Sequence, residues 1–297
     1  MITRIVLILL VVFVAASCGG DDESGGGAQR EVVAAFYPLA FAAERVADDG
    51  TSVRNLTPPG AEPHDVELSA RDVETIRSAD VVLYLGEGFQ PAFERAVDGA
   101  SGETVDVLEG LELVKPAEGA HGHEEEEQDG ETLDPHVWLD PVGFARATER
   151  IAGALDGPKA GEELAAELRD LDREFADGLR NCKRREFVTS HAAFTYLARR
   201  YDLRQIPIAG VSPEAEPTAK ELEGVVHEVE ESGATTVFFE TLVSPRLAET
   251  IARETGAVTA VLDPLEGLTQ DELNDGENYF TVMRRNLDAL RRALECT

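Results

Sequence analysis

Six histidines are spread along this 297-residue chain, and five stand where a metal ion could use them. His64 lies in PPGAEPHDVELSARD, His136 in DPHVWLDP and His191 in VTSHAAFTYLARRY. His121 and His123 sit in an acidic tract, AHGHEEEEQDGE. Imidazole nitrogen and carboxylate oxygen together suit Zn²⁺, held tetrahedrally at about 2.0–2.2 Å. Carboxylates that could complete such a set are Asp263 and Glu266 in VLDPLEGL, with Glu240 in VFFET as a further, more structural candidate. Asp134 or Asp140 could hold the outer ring nitrogen of His136. The spacing is not that of a zinc finger, so only a fold that gathers distant loops makes one site of these residues. No H-E-x-x-H helix and no G-x-S-x-G elbow is present, which leaves a zinc hydrolase as the weaker alternative. Gly86-Glu87-Gly88 lacks the Lys-Ser/Thr ending of a phosphate loop. His227 falls off the apolar stripe of its helix and should face solvent, and Trp138 reads as packing.

The elements that must position these residues alternate strand and helix, twice. In the first half, 31–37, 52–57, 80–85 and 104–108 read as strands. Between them come helices over 39–47, 69–79 and 91–97. Ser69 with Asp72 forms a capping-box pattern. Residues 141–155 follow as a helix, capped by Asp140 with Pro141 in the first turn. After Gly157-Pro158, residues 159–180 form a long amphipathic helix whose Leu164, Leu168, Leu171 and Phe175 recur at helical steps. Strands over 187–190, 205–211, 235–240 and 258–262 then alternate with helices over 192–201, 217–232, 245–255 and 277–294. The fold class expected is α/β: two Rossmann-like lobes with mainly parallel sheets, joined by one long helix. The division expected is an amino-terminal lobe over 31–156, a connecting helix over 159–182 and a carboxy-terminal lobe over 183–297. Ligands of such sheets bind beyond the carboxyl ends of the strands. His64, His191 and the Asp263–Glu266 segment each follow a strand, and His136 lies just before the connector. All four segments can therefore face one cleft between the lobes.

The chain begins as an exported protein does. Residues 1–17 hold one basic residue, Arg4, and an apolar run too short to span a bilayer, the pattern of a signal peptide. Ala15-Ala16-Ser17-Cys18 resembles a lipobox, which makes Cys18 the expected lipidation site. The Gly-rich polar stretch over 18–30 is an expected flexible tether. The remaining cysteines, Cys182 and Cys296, are expected to form a disulfide, with a pair of buried thiols as the alternative. The formal net charge is −31, with no basic stripe. Nucleic acid is therefore an unsuitable partner, whereas an acidic surface raises the local concentration of cations.

Taken together, PPGAEPHDVELSARD with ADVVLYLGEGF, HVWLDP, SHAAFTYLARRY, SPEAEPTAKEL, VFFETLVSP and DPLEGLT resemble the zinc- and manganese-specific solute-binding lipoproteins of bacterial ABC importers. The resemblance runs from about Glu31 to the end of the chain. It implies a monomer with two α/β lobes on one long helix, metal ligands at His64, His136 and His191, and Glu266, or next Asp263, as fourth ligand. It implies no enzymatic activity: Zn²⁺ is cargo, delivered to a membrane permease, and the protein stays outside the cytoplasm on a lipid anchor. Manganese- or iron-binding relatives form the alternative within the family, but manganese members tend to carry glutamate where His191 stands, and histidine favours zinc. The His121/His123 tract resembles the loop of zinc members and would bind zinc loosely. Some members of the family have been proposed as surface adhesins.

Overall fold

The computed structural model describes residues 29–117, 133–214 and 217–297. The expected signal peptide, Cys18 and the His121/His123 tract lie outside the described residues, as does almost all of the expected tether. In the amino-terminal lobe, β1 (Arg30–Ala34), β2 (Thr51–Asn55), β3 (Val81–Tyr84) and β4 (Glu103–Asp106) form a four-stranded sheet in the order β2-β1-β3-β4. All its pairs are parallel. The carboxy-terminal lobe repeats the plan with β5 (Glu186–Thr189), β6 (Arg204–Pro207), β7 (Thr236–Phe239) and β8 (Val258–Val261), in the order β6-β5-β7-β8. The central strands β1, β3 and β5 are largely apolar because helices cover both their faces.

Helix α1 (Tyr37–Val46) follows β1, and Pro38 sits in its first turn, where a missing N–H costs nothing. That is why the strand stops at Ala34 rather than running to Tyr37. Helix α2 (Ala70–Ser78) carries the Ser69/Asp72 capping box in full, and α3 is Pro91–Val97. Asp140 caps α4 (Pro141–Ala154), accepting from Val142 N. The connector α5 (Pro158–Gly178) has 21 residues, a rise of about 32 Å. Leu164, Leu168, Leu171 and Phe175 are fully buried on one face of it. Two glycines make the α4–α5 corner possible: a Cβ on Gly157 would stand 2.2 Å from Val46 O, and one on Gly161 would stand 2.4 Å from Ala152 Cβ.

The carboxy-terminal lobe adds α6 (Thr195–Arg200), α7 (Ala219–Ser232), α8 (Arg246–Thr255), α9 (Gln270–Asn274) and α10 (Tyr279–Ala293). Helix α6 starts three residues later than its pattern suggests, because Ala192 N is drawn to Gly210 O. Strand β6 ends at Pro207 and does not reach Val211. Helix α9 is an addition to the expected elements, held by a Thr269/Glu272 capping box.

One apolar core runs from the first lobe through α5 into Phe187, Phe194, Phe238, Leu262 and Tyr279 of the second. A smaller cluster, around Val188, Ile206, Val225, Val229 and Ile251, fills the outer side of the second lobe. The lobes therefore share a core instead of being tethered by a bare helix. Cys182 and Cys296 form a disulfide across 114 residues, not a pair of thiols. Lys183 N and Arg184 N both donate to Leu294 O, so the end of α10 is stitched to the start of the second lobe. No described helix is long and apolar enough to cross a membrane.

Candidate metal centre

Four segments reach the boundary between the lobes. After β2, the turn at Gly60, with φ +80°, redirects the chain, and Gly60 N donates to Leu268 O of the opposite lobe. His64 follows, its ring packed edge-on to Phe89 at 4.4 Å. The second segment is Asp134-Pro135-His136. Asp134 N donates to Val114 O and Tyr196 Oη donates to Asp134 O, which fixes the turn from both sides. His136 N then donates to Asp134 Oδ1, and a single 3₁₀ turn (Val137–Leu139) leads into α4. His191 follows β5, with its carbonyl accepting from Thr189 Oγ1 and Gln205 Nε2. Glu240 follows β7, which neighbours β5 where the strand order reverses, the position open α/β sheets use for ligands.

Glu266 arrives on a tightly held turn. Leu265 adopts φ +56°, a left-handed conformation that costs a non-glycine residue about 1–2 kcal/mol. Asp263 Oδ1 accepts from Leu265 N at 2.8 Å, and the Asn286 amide closes on Asp263 N and O at 2.9 and 2.6 Å. These bonds offset the strain and aim the Glu266 side chain inward.

His64, His136, His191 and Glu266 each offer one donor atom, and all four atoms lie within 4.8 Å of one another. Glu266 Oε1 stands 3.4 Å from His64 Nε2, 3.2 Å from His136 Nε2 and 3.2 Å from His191 Nε2. The two last nitrogens are 3.4 Å apart. A zinc tetrahedron with bonds near 2.1 Å has six edges of about 3.4 Å, and these four separations match four of them. His136, His191 and Glu266 are buried and His64 is nearly so.

The outer ring nitrogens are also committed. His136 Nδ1 pairs with Asp134 Oδ1 at 2.7 Å, and His191 Nδ1 with Glu240 Oε1 at 2.7 Å. Such carboxylate–histidine pairs fix ring orientation and leave Nε2 as the free donor. Burial alone would lower the pKa of both imidazoles. For His191, Glu240 and Glu266 outweigh burial and hold the pKa well above the usual value. Burial at His136 is likewise outweighed, by Asp134 and Glu266, and its pKa is raised. His64, with no carboxylate on its outer nitrogen, is lowered by burial. Burial would raise Glu266, but His191, the hydrogen bonds from His136 and His191 and the nearby His64 ring hold it well below the carboxylate range. The site thus favours positive charge among its donors, which protons or a divalent cation could supply.

The structure distributes the other sequence candidates clearly. Asp263 is outside the cluster: its carboxylate accepts from Leu265 N and Thr241 Oγ1. Asp140 is occupied with the α4 cap and with Arg200, leaving Asp134 as the partner of His136. Glu240 positions His191 instead of lining the cleft. His227 is exposed, 3.4 Å from Glu231 on its own helix. Glu62 escaped the sequence reading, although it stands two residues before His64 in the same motif. Its carboxylate is buried beside Glu266, and burial with the charge of Glu266 pushes its pKa up to about 9.

Two parallel-sheet lobes closed over a buried cluster of three imidazoles and a carboxylate define a bilobal solute-binding protein. The profile of the ZnuA family, described as zinc-uptake complex component A, periplasmic, matches residues 32–293, and the chain belongs to that family. It is 38% identical over 279 residues to the zinc-binding lipoprotein AdcA of Streptococcus pneumoniae, covering 89% of this chain and 56% of AdcA. The chain therefore spans little more than half the length of that relative. It is 34% identical over 277 residues to the high-affinity zinc uptake system protein ZnuA of Bacillus subtilis, covering 89% of this chain and 87% of that protein. Among solved structures, the Zn(II)-bound ZnuA-like domain of Streptococcus pneumoniae AdcA superimposes with a TM-score of 0.73 at 35% identity, covering 90% of this chain and 99% of that one.

Proposed function

We propose that this protein captures Zn²⁺ outside the cytoplasm and delivers it to the permease of an ABC importer. His64, His136, His191 and Glu266 are the ligands, and the ion is cargo rather than a cofactor. The observation that carries this reading is the convergence of four donors within 4.8 Å of one another, four of their six separations matching tetrahedral edges, from segments more than two hundred residues apart in all. Three imidazoles and one carboxylate suit zinc better than manganese, which prefers a harder, oxygen-rich set. A zinc hydrolase would keep one coordination position open for water, which Glu266 Oε1 would fill here. The zinc-binding relatives and the zinc-bound AdcA domain support the same cargo. Cys18 as the lipid-bearing residue would hold a monomer at the outer face of the membrane, within reach of the permease.

Isothermal titration with Zn²⁺ tests the assignment on the wild type and on His64→Ala, His136→Ala and His191→Ala. Each substitution should weaken binding by at least tenfold, with the two carboxylate-backed histidines costing most. Unchanged affinity in all three variants would remove the site.

A further inference from the structure

The donors divide between the lobes: His64 and His136 come from the first, His191 and Glu266 from the second. Several side chains bond across the lobe boundary, and Trp138 is the one that ties the His136 segment to the turn carrying Glu266. Trp138, two residues after His136, is 2% exposed. Its Nε1–H donates to Pro264 O at 2.7 Å, two residues before Glu266. Its own carbonyl accepts from Tyr279 Oη at 2.6 Å, on α10 of the second lobe. The indole is braced edge-on by Phe36 at 4.9 Å and Phe89 at 5.3 Å, and lies 5.0 Å from the His136 ring. A buried indole N–H needs an acceptor, and here that acceptor lies on the turn that presents Glu266.

The turn that presents Glu266 needs a hold on both sides. Leu265 is left-handed, and a residue in that conformation persists only where its surroundings over-determine it. Asn286 and Asp263 fix the near end of the turn from within the second lobe. Pro264 has no N–H to anchor itself, so its carbonyl is the remaining handle. The indole grips that handle from the first lobe.

Resting on the zinc reading above, we propose that Trp138 is a positioning residue for metal capture. Its indole N–H reaches across the lobe boundary and holds the Asp263–Glu266 turn in the register that brings Glu266 Oε1 to the three imidazoles. A residue two positions after the His136 ligand therefore sets the geometry of the Glu266 ligand.

Trp138 is the only tryptophan of the chain. Biosynthetic replacement of tryptophan by its benzothiophene analogue therefore exchanges N–H for sulfur at this position alone and keeps the ring's shape. Zn²⁺ affinity is measured by chelator competition for the tryptophan protein, the analogue protein and Trp138→Phe, each with and without Glu266→Gln. With Glu266 present, losing the N–H should weaken binding on the order of tenfold, or ~1.4 kcal/mol. In the Glu266→Gln background it should change affinity less than twofold, because the group being positioned is already disabled. A general loss of packing lowers melting temperature without producing that coupling. The proposal is overturned if the analogue protein binds as tightly as the tryptophan protein, or if the loss is equal in both backgrounds. His136→Ala and His191→Ala run alongside: if they too leave affinity unchanged, the zinc reading itself fails. If they abolish binding while the analogue is neutral, only the role of Trp138 falls.

Discussion

Replacing Glu240 by Gln keeps the shape and an acceptor at His191 Nδ1 but removes a buried negative charge. Glu240 Oε1 lies 2.7 Å from Nδ1. Adding the width of the ring and a zinc bond near 2.1 Å places that charge about 6–7 Å from a bound ion. At an effective dielectric near 20, a divalent cation and a single negative charge at that distance attract by about 5 kcal/mol. That is an upper bound, because the same charge also raises the affinity of His191 for a competing proton, and ionised Glu240 carries a desolvation cost that Gln escapes. Outer carboxylate partners of ligating histidines are worth about 10–100-fold in metal affinity, or about 1.4–2.7 kcal/mol. We expect Glu240→Gln to fall in that range at pH 8. The loss should shrink at pH 6, because the variant no longer holds a high-pKa proton that zinc must displace. Chelator-competition titrations at the two pH values measure both effects. An affinity within twofold of wild type at pH 8, or a gap that widens on acidification, would refute the electrostatic reasoning.

Zinc affinity should fall as pH drops, since the raised pKa values of His136 and His191 oblige the metal to displace a proton from each. The slope should approach two decades per pH unit below both values, and a flat profile from pH 8 to 5.5 would contradict histidine ligation. Metal-free protein should show the opposite trend in stability. Protonated His191 stabilises the fold through Glu240 and Glu266, and this contribution is complete below about 6.5 and lost as pH rises through its higher folded value. Buried Glu62, with its pKa near 9, acts in the same direction. The melting temperature of metal-free protein should therefore decline from pH 6 to 9, and added zinc should restore it. Deleting residues 117–131 should leave the tight zinc transition intact and remove only weaker binding by His121 and His123; loss of the tight transition in calorimetry would show that the tract belongs to the main site. Replacing Cys182 and Cys296 by Ser opens a loop spanning 114 residues, worth roughly 4–5 kcal/mol in the chain-entropy estimate and often less in practice. A melting temperature lower by on the order of 10 °C is expected, with zinc affinity nearly unchanged.

The strand–helix alternation was legible because buried parallel strands are short apolar runs and their helices carry clear stripes, as in Val81–Tyr84 and the Leu164–Phe175 face. Helix α9 was not, because it is five residues long and buries none of them. The convergence of the histidines could be argued from strand ends, since His191 directly follows β5. The choice between Asp263 and Glu266 could not be made from residue types. It depends on the left-handed Leu265, which turns one carboxylate toward the imidazoles and the other toward its own turn. Trp138 read as packing because its hydrogen-bond partner, a backbone carbonyl at Pro264, lies far away in sequence and carries no signal. Glu240 and Asp134 were visible as candidates, but which ring nitrogen each would hold is a matter of side-chain geometry alone.

Anomalous diffraction across the zinc absorption edge, on crystals of protein loaded with Zn²⁺, is the most direct measurement of the proposed role. A single strong peak about 2.0–2.2 Å from His64 Nε2, His136 Nε2, His191 Nε2 and a Glu266 oxygen is the predicted result. A peak bound elsewhere with these four side chains uninvolved, or none at saturating zinc, would contradict it.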